Sequence, residues 1–223
     1  RALHLSIRRQ RQMCIRDRTY SNISRYLDTR PPGAELTERG RDQATDVGRE
    51  LAQLVGEREV EFKCSVALRA QQTAMLAARA FEQERGMPEF SQRVDVSTDV
   101  HEIFAGDWEM DGSEDAHRSH MVAMRGWCDG EPDAGMEGGE TLDDVLARYQ
   151  PVLEGIAEQL ADDHDVILVS HGAAIRVVTK HATGVDADFA YTGYLPNCRF
   201  MVMEPRGKDF GQWTLTRWAD TEL

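Results

Sequence analysis

No apolar run in the 223 residues approaches the roughly 18 that a membrane-spanning helix needs, so no membrane partner is expected. Cysteine is scarce. Cys14, Cys64, Cys128 and Cys198 form no C-x-x-C pair and show no disulfide or zinc spacing. Four reduced thiols in a cytoplasmic protein are the expected reading. With 18 glycines and 7 prolines, and 41% of residues hydrophobic, the chain is neither collagen-like nor disordered, and no internal repeat is visible. Positive charge is also short: 26 Lys and Arg face 39 Asp and Glu, a net of −13.

That charge is unevenly spread. Residues 1–18 carry a net of +5, and the remaining residues carry −18. Such a body repels nucleic acid at long range, so no nucleic-acid partner is expected, and an anionic substrate needs a local cluster of positive groups.

The opening RALHLSIRRQRQMCIRDR has no secretory pattern, because arginines interrupt each apolar stretch. Met13-Cys14-Ile15-Arg16-Asp17-Arg18 is what the transposon-end adapter of sequencing libraries encodes when read as ATG TGT ATA AGA GAC AG(A/G). Residues 1–18 are therefore expected to be a foreign segment in place of the native start.

From residue 19 onward, helical and strand patterns alternate. Thr37 is a candidate N-cap for a helix with Ala44, Val47, Leu51, Leu54 and Val55 at 3/4 spacing. A strand is expected at 60–65, a helix at 70–85, and a long helix at 142–161 that Pro151 kinks or splits. The run Val166-Ile167-Leu168-Val169 reads as a buried strand, followed by a helix over 173–183. Closing strands are expected at 199–203 and 213–218. This alternation predicts a single α/β domain with a mostly parallel sheet and helices on both faces. Residues 104–141 break the rhythm and read as a solvated loop or small helix; His117 and His120 there lack a third metal ligand.

Three places carry candidate chemistry. Ser170-His171-Gly172 sits between a strand end and a helix start, where open α/β sheets bind ligands and backbone N–H groups favour anions. Arg69, in Cys64-Ser65-Val66-Ala67-Leu68-Arg69-Ala70, follows another strand; it is either a bidentate phosphate partner or an ordinary exposed arginine. Glu102 lies in His101-Glu102-Ile103-Phe104-Ala105-Gly106-Asp107-Trp108-Glu109, where a carboxyl group can serve as a proton donor.

In order, these segments resemble the histidine phosphatase superfamily, in its phosphoglycerate-mutase-like branch. Thr19-Tyr20-Ser21-Asn22 is similar to the tail of the family's R-H-G-x-T-x-x-N. Leu36-Thr37-Glu38-Arg39-Gly40 with Gln43-Ala44 is similar to L-T-x-x-G-x-x-Q-A, and Ser65 to Ala74 to S-x-x-x-R-A-x-x-T-A. Glu102 with Gly106 to Glu109, Gly138-Gly139-Glu140, and Val169-Ser170-His171-Gly172 complete the series. The resemblance implies a phosphoglycerate-mutase-like α/β fold and hydrolysis of a small phosphorylated substrate through a phosphohistidine, without metal or other cofactor. It further implies that Arg69 clamps phosphate, His171 is a second pocket histidine beside Gly172, Glu102 protonates the leaving oxygen, and Thr19 and Asn22 touch the phosphate. Asp99, Asp107 and Glu109 are rivals for the acid role.

Anchoring on Thr19–Asn22 puts R-H-G at Ile15-Arg16-Asp17, so Arg16 occupies the nucleophile position and the chain as written is expected to be inactive. His4 is too far upstream to substitute. A phosphoglycerate mutase, disfavoured because such mutases carry S-x-W-N after R-H-G, and a non-catalytic phospho-ligand-binding domain are the alternatives. Residues 11–17 are expected to enter the first strand, poorly served by Arg9 to Gln12 where a central strand favours Val, Ile or Leu. Residues 104–141 are expected to cap the pocket of a domain running over 19–223.

Overall fold

The computed structural model describes residues 11–15, 25–159 and 163–223. Its strands are β1 Arg11–Ile15, β2 Glu59–Ser65, β3 Val94–Ser97, β4 His164–Val169, β5 Phe200–Glu204, β6 Thr214–Trp218 and β7 Thr221–Glu222. Its helices are α1 Glu38–Val55, α2 Leu68–Glu84, α3 Glu114–Asp129, α4 Leu142–Gln159, α5 Gly172–Thr183 and α6 Ala187–Thr192. One sheet runs β3-β2-β4-β1-β5-β6-β7. The first four strands in that order are mutually parallel, and β5, β6 and β7 extend the sheet antiparallel. Strands β6 and β7 are joined by Ala219 and Asp220 alone, too short for a parallel crossover. Among the described residues, no helix is long and apolar enough to cross a membrane.

Strand β4 shows why the core lies on both faces. Alternate side chains of a strand point to opposite sides. Ile167 and Val169 join the cluster under α1 and α2, with Leu51, Phe62 and Phe81; Val166 and Leu168 join the cluster with α3, α4 and α5. A strand buried twice must be apolar throughout, as this one is.

Local chemistry sets most element ends where the sequence predicts them. The Thr37 hydroxyl accepts from the Gly40 N–H at 3.0 Å and starts α1. Helix α5 ends at Gly184, in the left-handed region with φ +66°, where a β-carbon is unfavourable. Strand β1 occupies a central position, its Ile15 level with Val169 of β4 and Phe200 of β5. Residues 16 and 17, expected in the same strand, and the side chains of 11–15 lie outside the described residues.

Three expectations need correction. Of the kink or split expected at Pro151, the split does not occur: helix α4 is one continuous run through that residue. Pro151 removes the donor for the Ala147 carbonyl, and both residues are solvent-exposed, so water replaces the lost bond. Within 104–141, α3 is a full amphipathic helix rather than a solvated loop or small helix. Ala116, Ala123, Met124, Trp127 and Cys128 form its buried stripe, diluted in sequence by His, Ser and Gly. Ser113 caps it, accepting from the Ala116 N–H. Strand β3 and helix α6 are unanticipated, being four and six residues long.

Helices α1 and α2 pack so closely that a β-carbon on Gly48 would lie 2.3 Å from the Ala77 carbonyl oxygen. The obstacle is backbone, which cannot swing aside. Gly48→Ala should therefore destabilise the fold by about 1–3 kcal/mol through overpacking, outweighing a helix-propensity gain of about 1 kcal/mol. A urea titration yielding an equal or higher midpoint for the variant contradicts this packing.

Candidate active site

Because β2 and β4 are parallel neighbours, both deliver their following residues to the same sheet edge. Beyond β4, His171 is the N-cap of α5 and is only 1% exposed. Its Nε2 lies 2.8 Å from the Ser65 Oγ at the end of β2. That oxygen also accepts from the Ala67 N–H at 3.2 Å. The ring is thus fixed by a residue 106 positions away in the chain.

Arg69 stands in the first turn of α2 and is 4% exposed, so it is no ordinary surface arginine. The loop 28–34 makes its seat. The Pro32 carbonyl accepts from the Leu68 N–H at 2.8 Å, and the Asp28 carboxylate lies 3.9 Å from the Arg69 guanidinium while accepting from the Ala34 N–H. Gly33, with φ +68°, lies under the guanidinium; a β-carbon there would fall 2.2 Å from Nη1. Glycine is required on both counts, conformation and space.

Glu102 reaches the same edge from the other side. Its carboxylate accepts from the N–H groups of Ala174 at 3.0 Å and Ala173 at 3.3 Å, the start of α5, and from Ile103 at 2.9 Å. A helix N-terminus is a favourable place for negative charge. Glu102, Gly172 and Asp28 line one cavity of about 210 Å³.

The rival carboxylates are engaged elsewhere. Glu109 accepts from the backbone N–H groups of Thr29 and Arg30 and from the Thr29 hydroxyl. Asp107 packs against Gly138, and Asp99 is exposed beyond β3. His117 and His120 both belong to α3, and among the described residues no group of three or more His, Cys, Asp or Glu is placed to hold a metal ion. Arg16, Thr19 and Asn22 lie outside the described residues.

The segment carrying Glu102 is held by α4. Arg148 donates to the carbonyls of Asp99, His101 and Glu102 at 2.8, 2.9 and 3.3 Å. It also forks onto Glu140, at 2.7 and 2.9 Å, and Glu140 in turn accepts from the Phe104 N–H. The Tyr149 hydroxyl donates toward the Val100 and His101 carbonyls and meets the Ser170 Oγ at 2.6 Å, joining this segment to the end of β4. Burial, with Arg148 nearby, lowers the His101 pKa and favours its neutral ring, which stacks on Phe104. Burial pushes the Cys64 thiol up to about 12, so it is no nucleophile.

Asp28, Gly33, Arg148 and Tyr149 escaped the sequence reading. Asp28-Thr29-Arg30-Pro31-Pro32-Gly33 signals only a turn, and Tyr149 reads as one more apolar position of α4.

Residues 19–221 match the sequence model of the histidine phosphatase superfamily (branch 1). The chain belongs to that superfamily. By family, then, it is a histidine-phosphatase-type enzyme. No curated protein matches it in sequence. Solved structures that share its fold include the alpha-ribazole phosphatase of Shigella flexneri, with 24% identity over 95% of this chain and 96% of that one and a TM-score of 0.66. Another is the mycobacterial glucosyl-3-phosphoglycerate phosphatase in complex with inorganic phosphate, with 21% identity over 95% and 97% and a TM-score of 0.70.

In this histidine phosphatase the Arg148–Glu140 pair is largely buried, its side chains 12% and 15% exposed. Removing one partner of such a pair strands the other, at about 3–5 kcal/mol. Arg148→Met should lower stability by that order and speed amide exchange at Ile103 and Phe104. Unchanged exchange there, measured by NMR, shows that the pair does not hold the Glu102 segment.

Proposed function

We propose that the intact gene product hydrolyses phosphomonoesters through a phosphohistidine, and that the domain spans 19–223 with 104–141 as its cap. The observation that carries this reading is that Glu102 binds the first turn of α5 directly beside His171, on the sheet edge that also holds Arg69. Phosphoryl transfer depends mainly on positioning and on neutralising the equatorial oxygens, which fixed Arg and His donors and helix N–H groups supply. A metal is not required for those tasks.

The nucleophile belongs to position 16, the residue after Ile15, whose strand ends level with Val169. A histidine nitrogen there attacks phosphorus, the P–O bond to the alcohol breaks, and the Glu102 carboxyl gives its proton to the departing oxygen. Of its two oxygens, Oε1 accepts from two N–H groups and Oε2 from one, at the longer distance. Water then attacks the phosphohistidine, its proton passes to Glu102, and phosphate leaves. The covalent intermediate divides one difficult displacement into two easier ones. The free, buried Cys64, Cys128 and Cys198 support a reducing, cytoplasmic setting.

As it stands the chain carries Arg16, whose guanidinium stays protonated and does not attack phosphorus. No turnover of p-nitrophenyl phosphate is expected. A variant combining Ile15→Arg, Arg16→His and Asp17→Gly should release phosphate. In that background, His171→Ala and Arg69→Ala should each lower kcat by about 10²-fold or more while the circular dichroism spectrum stays folded. Phosphate release by the unaltered chain, or full activity of either Ala variant, contradicts the assignment. Isomerisation of phosphoglycerates without phosphate release would identify a mutase instead.

The acid role has its own signature. A good leaving group departs without a proton, and general-acid help amounts to about 10²–10⁴-fold. Glu102→Gln in the restored background should therefore slow an alkyl phosphate far more than p-nitrophenyl phosphate. Equal slowing of the two moves the proton donor elsewhere.

A further inference from the structure

The cavity beside Glu102 continues past the reacting edge. Met124 of α3 and Leu195, each 1% exposed, bound it on one side, and Tyr26 and Tyr194 flank it. These tyrosines are unusual for their exposure, 46% and 72%. A ring left in water beside the apolar side chains of Met124 and Leu195 gains by being covered. Tyr26 lies against Gly112, where a β-carbon would be 3.1 Å from its ring, so the backbone supports it.

The charges around this cavity are of both signs. Asp28, beside Arg69, and Glu102 line it, and so do His120 and Arg176, whose guanidinium also donates to the carbonyls of Ala190 and Tyr191 in α6. Selection there falls to shape and to the two exposed rings. At about 210 Å³ it has room for a single ring, since a cavity of about 150 Å³ holds benzene.

We propose that this cavity seats the leaving alcohol, and that it selects an alcohol with an aromatic ring or a comparably flat apolar face. Tyr26 and Tyr194 are its specificity-determining residues. The proposal rests on the phosphomonoesterase reading above, and it adds the class of substrate.

The restored variant tests it with 2-phenylethyl phosphate and glycerol 1-phosphate. Both release a primary aliphatic alcohol, so their demand for a proton is alike. The phenylethyl ester should have the higher kcat/KM. Tyr26→Ala and Tyr194→Ala should each lower its preference over glycerol 1-phosphate about 3- to 10-fold, mainly through KM, as expected for loss of one aromatic contact. Met75→Ala, exposed on α2 away from the cavity, should leave the preference as it was. Equal kcat/KM for the two esters, or a preference insensitive to both tyrosines, overturns the proposal.

A second measurement uses the chain as it stands. Saturation-transfer NMR with 2-phenylethanol should show contact that Tyr194→Ala weakens. If that contact is seen while the restored variant hydrolyses no ester, the cavity assignment holds and the phosphatase reading falls. If p-nitrophenyl phosphate is hydrolysed but 2-phenylethanol makes no contact, the cavity assignment alone falls.

Discussion

The contact between His171 and Ser65 depends on two parallel strands lying side by side. Parallel neighbours cannot be joined by a tight turn, so the chain leaves β2 through α2, travels through β3, α3 and α4, and returns as β4. That route costs loop entropy, but the cost grows only slowly with length. In return, every segment that follows a parallel strand emerges at one edge. Arg69 arrives in the first turn of α2, His171 at the start of α5, and Glu102 beyond β3. The strand ends bring the groups together; the helix starts add backbone N–H groups that favour anions.

Bringing them together is not enough to hold them still. Glu102 lies between elements, on backbone that no sheet ladder fixes. The Arg148–Glu140 pair compensates for this with bonds to four separate residues of 99–104. Judged as a stabilising ion pair it is unremarkable, because desolvating two charges offsets much of their attraction. Judged by geometry it is efficient: the planar guanidinium reaches carbonyls and a carboxylate at once, which a lysine ammonium does less specifically. Positional accuracy of the carboxylate is therefore the better account of why the pair is buried.

Features written in a few adjacent residues were legible in the sequence. The Thr37 cap, the twice-buried Val166–Val169 strand and the Ser170-His171-Gly172 transition each rest on local chemistry, and each is present. Glu102 was harder, since nothing local separates it from Asp99, Asp107 or Glu109. Family order favoured it, and the structure gives the physical distinction: only Glu102 of the four lines the cavity and touches α5. Gly33 and Asp28 were not legible at all, because their importance comes from Arg69, which approaches from a distant turn. Helix α3 was obscured differently: its buried stripe is made of Ala, Met, Trp and Cys, and its histidines suggested a polar loop.

The acidic body and the anionic substrate proposed for it are reconciled by distance. Charges farther apart than about 8 Å are largely screened at physiological ionic strength, whereas groups at a desolvated edge are not. Arg69 is buried, and the N–H groups of α5 carry their partial charge whatever the surface bears. On the proposed reading, phosphate recognition is thus a short-range matter, decided within the reach of a few donors. The net charge of −18 on residues 19–223 repels polyanions, whose many charges cannot all lie against one small positive edge.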